Sequence, residues 1–233
     1  MRIAIMQPYI FPYLGYFQLI SAVDTFVFCD DVNFIKGGWI HRNRILVDGK
    51  PQYISFPCIK KSQNKLINEL ELKLDSKEFY KILPTIHRAY KFAPYYDIVF
   101  PILEGLINSN IKNLSKFASN TVMVISEYLE IDTEFLYTSE EFGHTKGQER
   151  SNRLINITKQ LNSAHYINLI GGQEIYDKSY FNDQGVALNF IKSENEIYKQ
   201  LGNDFVPYLS IVDVLMFNSV TEIQQMLKSY RLI

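Results

Sequence analysis

Short unbroken apolar runs alternate with apolar stripes at helix spacing along most of this 233-residue chain. Arg2 to Met6 holds the first run and reads as a short buried strand. From Gly15 the period lengthens: Tyr16, Leu19, Ile20 and Val23 fall at i, i+3, i+4 and i+7, one face of a helix. Thr25 to Cys29 is apolar without interruption, which suits a strand covered on both faces. Strand, turn, helix, strand is a βαβ unit, and its crossover predicts parallel pairing.

Further along, Asp48-Gly49 between two strand-like runs predicts a hairpin. The middle of the chain is helical. Phe79, Ile82, Leu83, Ile86 and Tyr90 keep helix spacing, with Pro84 expected to kink or divide that helix. Leu114, Phe117, Ala118, Val122, Ile125 and Leu129 form a longer stripe that should face the core. Ala93-Pro94 and Phe100-Pro101 are expected breaks. The α/β rhythm then returns, with strands expected at Glu134 to Tyr137, His165 to Leu169 and Val186 to Ile191, and a helix carrying Leu154, Ile157 and Leu161. Thr145-x-x-Gln148, Ser210-x-x-Asp213 and Thr221-x-x-Gln224 have capping-box spacing. No repeat, low-complexity run or linker interrupts the sequence. The expectation is one α/β domain over residues 1–233, with a parallel sheet, a β-hairpin and a mainly helical insertion around 66–130.

Composition narrows the function more than the fold. A formal net charge of −1 argues against a general nucleic-acid binder. The 16 Tyr and 16 Phe suit either an aromatic core or pocket walls with polar tips. Cys29 and Cys58 lie in apolar runs and read as buried free thiols, which suits a reducing cytoplasm. Residues 1–6 are too short for a signal-peptide core, and no run reaches membrane-spanning length, so a cytoplasmic location is expected. His87, His144 and His165 lack ligand-like spacing, and no His/Cys cluster supports a metal site.

Candidate chemistry concentrates at the turn from Gln7 to Gly15. Ligands of open α/β sheets bind beyond the carboxyl ends of strands, and this turn leaves such an end. Gln7, Tyr9, Tyr13 and Tyr16 offer neutral hydrogen-bond donors, while Pro8 and Pro12 stiffen the turn. Gly15 at the helix start would let an anion approach the backbone. Asp30 and Asp31 end the second strand, and at least one carboxylate is expected in the same crevice, as a general base or a ligand of Mg²⁺. The loop from Lys36 to Arg44 supplies Lys36, Arg42, Asn43 and Arg44, with the cations suited to a diphosphate. His41 within it is the best-placed imidazole for proton transfer. A third candidate combines Arg150 and Arg153 with Gly171, Gly172 and Tyr176. That glycine pair follows a predicted strand and should open at the same sheet edge as Gln7, either admitting a ligand or serving as a flexible turn.

The spacing Pro12-Tyr13-Leu14-Gly15-Tyr16 resembles the phosphate-gripping signature of the nucleotidyltransferase and class I aminoacyl-tRNA synthetase superfamily, with tyrosine at both histidine positions. That resemblance implies a Rossmann-like sheet of the HUP or nucleotidyltransferase-like kind. Nearly the whole chain resembles the WbqC-like protein family of bacterial O-antigen and other surface-polysaccharide clusters. The likeness rests on Met6-Gln7-Pro8-Tyr9, Phe11-Pro12-Tyr13-x-Gly15-Tyr16, Asp30-Asp31, Trp39-Ile-x-Arg42-Asn43, Gly171-Gly172-x-x-x-Tyr176, Phe181 and Leu209-Ser210-Ile211-x-Asp213. Phe217-Asn218-Ser219 departs from it, standing where a glycine is expected. The resemblance implies a transferase that adds an acyl or aminoacyl group to a nucleotide-linked amino sugar. Two alternatives stay open: ATP-dependent activation of a small carboxylate, and a non-catalytic nucleotide-sugar-binding partner. The ligand is then a nucleotide sugar or other phosphate-bearing small molecule, and the cofactor stays open between Mg²⁺ and a nucleotide.

Overall fold

The computed structural model describes residues 1–194, 197–202 and 204–233. The chain enters through β1 (Arg2–Met6), turns into α1 (Leu14–Ser21) and returns as β2 (Thr25–Phe28). β1 and β2 pair in parallel, Ile3 beside Thr25 and Met6 beside Phe28. β3 (Arg42–Val47) and β4 (Lys50–Ser55) form an antiparallel hairpin apart from the main sheet. Its turn residues Asp48 and Gly49 both have positive φ, 51° and 74°, the geometry of the two-residue turn that Asp-Gly favours.

Four helices follow: α2 (Lys77–Tyr80), α3 (Ile82–Tyr90), α4 (Tyr96–Ile107) and α5 (Leu114–Tyr128). Then come β5 (Glu134–Tyr137), α6 (Thr138–Glu141), α7 (Arg150–Gln160), β6 (His165–Leu169), α8 (Lys178–Asp183) and β7 (Ala187–Ser193). The chain closes with α9 (Ile211–Phe217), α10 (Val220–Met226) and β8 (Tyr230–Leu232). Among the described residues, six strands form one sheet in the order β5-β2-β1-β6-β7-β8, parallel except for β8 on β7. Renumbered within that sheet, the order is 3-2-1-4-5-6, that of the doubly wound dinucleotide-binding folds. The fold is Rossmann-like, and its switch point lies between β1 and β6.

Both faces of the sheet are covered. Along β1, Ile3 and Ile5 join an apolar cluster with Leu154, Ile157, Tyr166 and Phe181, whereas Ala4 joins the larger cluster on the other side. The α5 stripe from Leu114 to Leu129 is buried as its spacing predicts, and Leu70, Ile86, Leu103 and Ile125 share the larger cluster with Phe26 and Phe28 of the sheet.

Several local expectations need correction. Phe100-Pro101 does not end a helix, because Pro101 lies inside α4. An interior proline costs ~3 kcal/mol. α4 buries Val99, Leu103, Leu106 and Ile107, each contributing roughly 1.5–3 kcal/mol, so burial wins. The 77–90 helix is divided at Lys81, and Pro84 sits in the first turn of α3, where its missing N–H breaks no ladder. Thr145 does not cap α7. Glu149 does, its carboxylate accepting from Ser151 N and Asn152 N. The last capping box uses Ser219 and Glu222 in place of Thr221 and Gln224. Ser210 caps α9 as expected, but Asp213 turns inward and accepts from Tyr90 Oη, Tyr198 Oη and Gln200 Nε2 at 2.8, 2.7 and 2.8 Å. Asn218 follows α9 at φ −132°, a conformation open to any residue, so no glycine is needed there.

Candidate functional site

The opening turn emerges from β1 at the switch point and is fastened from several directions. Phe11 has φ 45°, unusual for an aromatic residue. Its N–H donates to Thr121 Oγ1 at 3.2 Å, and its carbonyl accepts from Asn43 Nδ2 and Ser210 Oγ, both at 2.7 Å. Ile10 N donates to Ile40 O, and Ile211 N donates to Pro12 O. Strain of this kind persists only where the surroundings over-determine the backbone. α5, the hairpin and the start of α9 therefore hold the turn in one shape, with Asn43 among the residues that fasten it.

The tyrosines divide into different roles. Tyr16 is fully buried, and its hydroxyl donates to Gln7 O at 2.7 Å. It locks the turn and faces no ligand, contrary to its expected role as a donor. Gly15 is also not an open approach to the helix start. A Cβ there would lie 2.5 Å from Tyr13 Cε2, so the absent side chain makes room for the Tyr13 ring. The cavity beside it, also lined by Tyr198, Pro207 and Tyr208, holds only about 60 Å³. The Tyr13 ring thus covers this helix end. Burial pushes the Tyr13 hydroxyl up to about 12, with the nearby Tyr9 and Tyr208 adding to it. Gln7 and Tyr9 are half-buried, with Tyr9 Oη 3.5 Å from Gln7 Oε1.

Asp30 and Asp31 are buried at 1% and 5% exposure, which corrects the expectation that one of them faces the crevice. Arg153 Nη2 donates to both oxygens of Asp31 at 2.8 and 2.7 Å, and Thr138 Oγ1 donates to Asp31 Oδ1 at 2.6 Å. Asp30 accepts from Ser139 N at 3.1 Å, Ser139 Oγ at 2.8 Å and Ser115 Oγ at 3.3 Å. A guanidinium against both oxygens of Asp31 repels a cation, so this donor set is a poor seat for Mg²⁺. The cluster ties the carboxyl ends of β2 and β5 to α5 and α7. Among the described residues, no three His, Cys, Asp or Glu side chains gather as a metal-ligand group.

His41 is buried against Phe34, and its Nδ1 is buried without a hydrogen-bond partner. Burial, followed by the charges of Lys61 and Arg42, lowers its pKa to about 4, leaving a neutral imidazole at pH 7. Arg42 donates from Nε to Gly38 O at 3.1 Å and from Nη2 to Gly37 O, with its guanidinium over the Tyr53 ring. Arg44 donates to Tyr208 O at 3.2 Å and lies over Trp39. Both guanidiniums are thus engaged with backbone and aromatic rings around the hairpin, while Lys36 is exposed. Cys29 and Cys58 are free and half-buried, and burial raises their thiols to about 12 and about 11.

Across the switch point, β6 ends in the turn Ile170–Glu174. Its two glycines differ. Gly172 is buried against Phe190 and Asn168, at 3.0 and 3.1 Å from an added Cβ, whereas Gly171 has nothing within 4 Å. Tyr176 is half-buried and lines an open concavity of about 530 Å³ with Gln173, Lys178 and Phe190. Arg150, at the start of α7, lies close enough to offset part of the burial-driven rise of the Tyr176 pKa. The two arginines of α7, grouped in one candidate by the sequence, differ in surroundings. Arg153 is the buried partner of Asp31, and Arg150 is an exposed cation near Tyr176.

A Rossmann-like sheet with a rigid turn and a glycine turn flanking its switch point defines an α/β protein of the doubly wound class. Residues 7–225 match the model of the WbqC-like protein family, and the chain belongs to that family. It is also 28% identical over 235 residues to "Uncharacterized protein Rv1507c" of Mycobacterium tuberculosis, covering 99% of each chain. No solved structure matches it.

Proposed function

We propose that this protein transfers an acyl or aminoacyl group to the amino group of a nucleotide-linked sugar, in the synthesis of a surface polysaccharide such as an O antigen. The sugar class and the polysaccharide setting come from the family resemblance. What supports a binding site at the switch point is the sheet order, in which the strands that lead into the fixed Gln7–Tyr9 turn and into the open backbone at Gly171 are neighbours. A diphosphate there would meet backbone N–H groups and the Arg150 guanidinium, while Gln7, Tyr9 and Tyr176 supply neutral hydrogen bonds to sugar and base. Asp30, Asp31, Asn43, Arg153 and Tyr16 are positioning residues that hold those segments. Adenylate formation at the start of α1 fits less well, because the Tyr13 ring fills that space.

A thermal-shift screen of nucleoside diphosphate sugars tests the reading. A ligand that binds only the native state raises Tm by mass action. One nucleotide sugar should raise Tm selectively, with the shift reduced in Gln7→Ala and abolished in Gly171→Val. Incubation with an acyl donor should then increase the sugar's mass by the acyl group. No shift with any nucleotide sugar, from protein that melts cooperatively, would remove the proposal.

A further inference from the structure

Residues 33–65 carry seven Lys or Arg and a single acidic residue, Asp48, for a formal charge of +6 in a chain whose net charge is −1. The same stretch exposes apolar side chains: Ile35 at 51%, Tyr53 at 48%, Ile59 at 42% and Trp39 at 40%. These groups are joined in space. Gly38 N donates to Ile35 O, and Phe34 N donates to Lys65 O, so the loop leading into β3 lies against the 59–66 loop. Lys61 is near enough to depress the His41 pKa. The Trp39 and Tyr53 rings lie 5.9 Å apart.

We infer that this face docks the protein onto an anionic lipid bilayer, with Ile35, Trp39 and Ile59 entering the interface and Lys36, Lys60 and Lys61 meeting lipid phosphates. Exposed aliphatic and aromatic side chains set among cations are what such an interface selects. A single-stranded nucleic acid is the rival polyanion, and it would need open aromatic faces for base stacking. Here Arg42 sits over Tyr53 at 4.6 Å and Arg44 over Trp39 at 5.7 Å, so guanidiniums already occupy those rings. Exposed isoleucines add nothing to nucleic-acid binding.

Trp39 is the chain's one tryptophan, so intrinsic emission reports directly on this face. Vesicles of equal phosphatidylglycerol and phosphatidylcholine should shift its emission to the blue and sediment the protein, and high salt should reverse both effects. Pure phosphatidylcholine vesicles should do neither. Lys60→Glu/Lys61→Glu should weaken vesicle binding by about tenfold or more, with an unchanged melting temperature. Ile59→Ser should reduce the blue shift while keeping the fold. Absence of binding to the anionic vesicles would overturn the inference. Equal binding to neutral vesicles would also overturn it, as would tight binding of oligothymidylate by protein that ignores lipid.

Discussion

Gly171 and Gly172 are adjacent in sequence and opposite in surroundings, and that difference sets the sharpest test at the scale of single residues. An added methyl at Gly172 meets the ring of buried Phe190 and the side chain of Asn168, which is itself bonded to Tyr166 Oη and Leu169 N. Neither can yield easily, so Gly172→Ala should lower stability by roughly 1–3 kcal/mol. Gly171→Val meets open space and should leave urea unfolding nearly unchanged while blocking ligand. His41 gives a pH prediction with a definite sign. Its pKa falls from 6.5 in an unfolded chain to about 4 here, so between those values the unfolded state binds more protons. Stability supplied by the neutral imidazole is therefore present above pH 6.5 and lost progressively towards pH 4. His41→Phe should flatten the fall in Tm between pH 6.5 and 4.5, and an unchanged slope would refute the assignment. At this scale the sequence displays donors without showing what they face. Tyr16 and Tyr9 look alike in the motif, yet one is sealed under the turn and the other is half-buried.

Among the elements, α7 and β2 are tied by the Arg153–Asp31 pair, both ends of which are buried. Removing one partner of such a pair leaves an uncompensated charge and typically costs 3–5 kcal/mol. Arg153→Met should destabilise the fold by about that amount in urea denaturation, and Arg153→Met/Asp31→Leu should recover much of it. Equal stability of the single and double variants would contradict the tie. Periodicity revealed most elements, because a strand covered on both faces and the apolar stripe of α5 leave plain patterns. It failed at Pro101, Thr145 and Thr221 for a shared reason. Local signals propose a boundary, while burial of Val99 and Leu103 or a competing cap at Glu149 or Ser219 decides it.

For the whole molecule, the βαβ opening implied a parallel sheet, but nothing local stated that β6 would lie beside β1. That neighbour relation creates the switch point and underlies the proposal that the Gln7 and Gly171 turns form a single site. The basic hairpin also lies against the opening turn, as their closeness along the chain suggests, with Asn43 Nδ2 donating to Phe11 O at 2.7 Å and Ile10 N to Ile40 O. The measurement that tests this arrangement most directly is amide hydrogen exchange with and without the nucleotide sugar that raises Tm. The account predicts slowed exchange in 7–9 and 170–176, with the 36–44 loop unchanged. Protection confined to 36–44, with both switch-point turns exchanging as in the free protein, would contradict it.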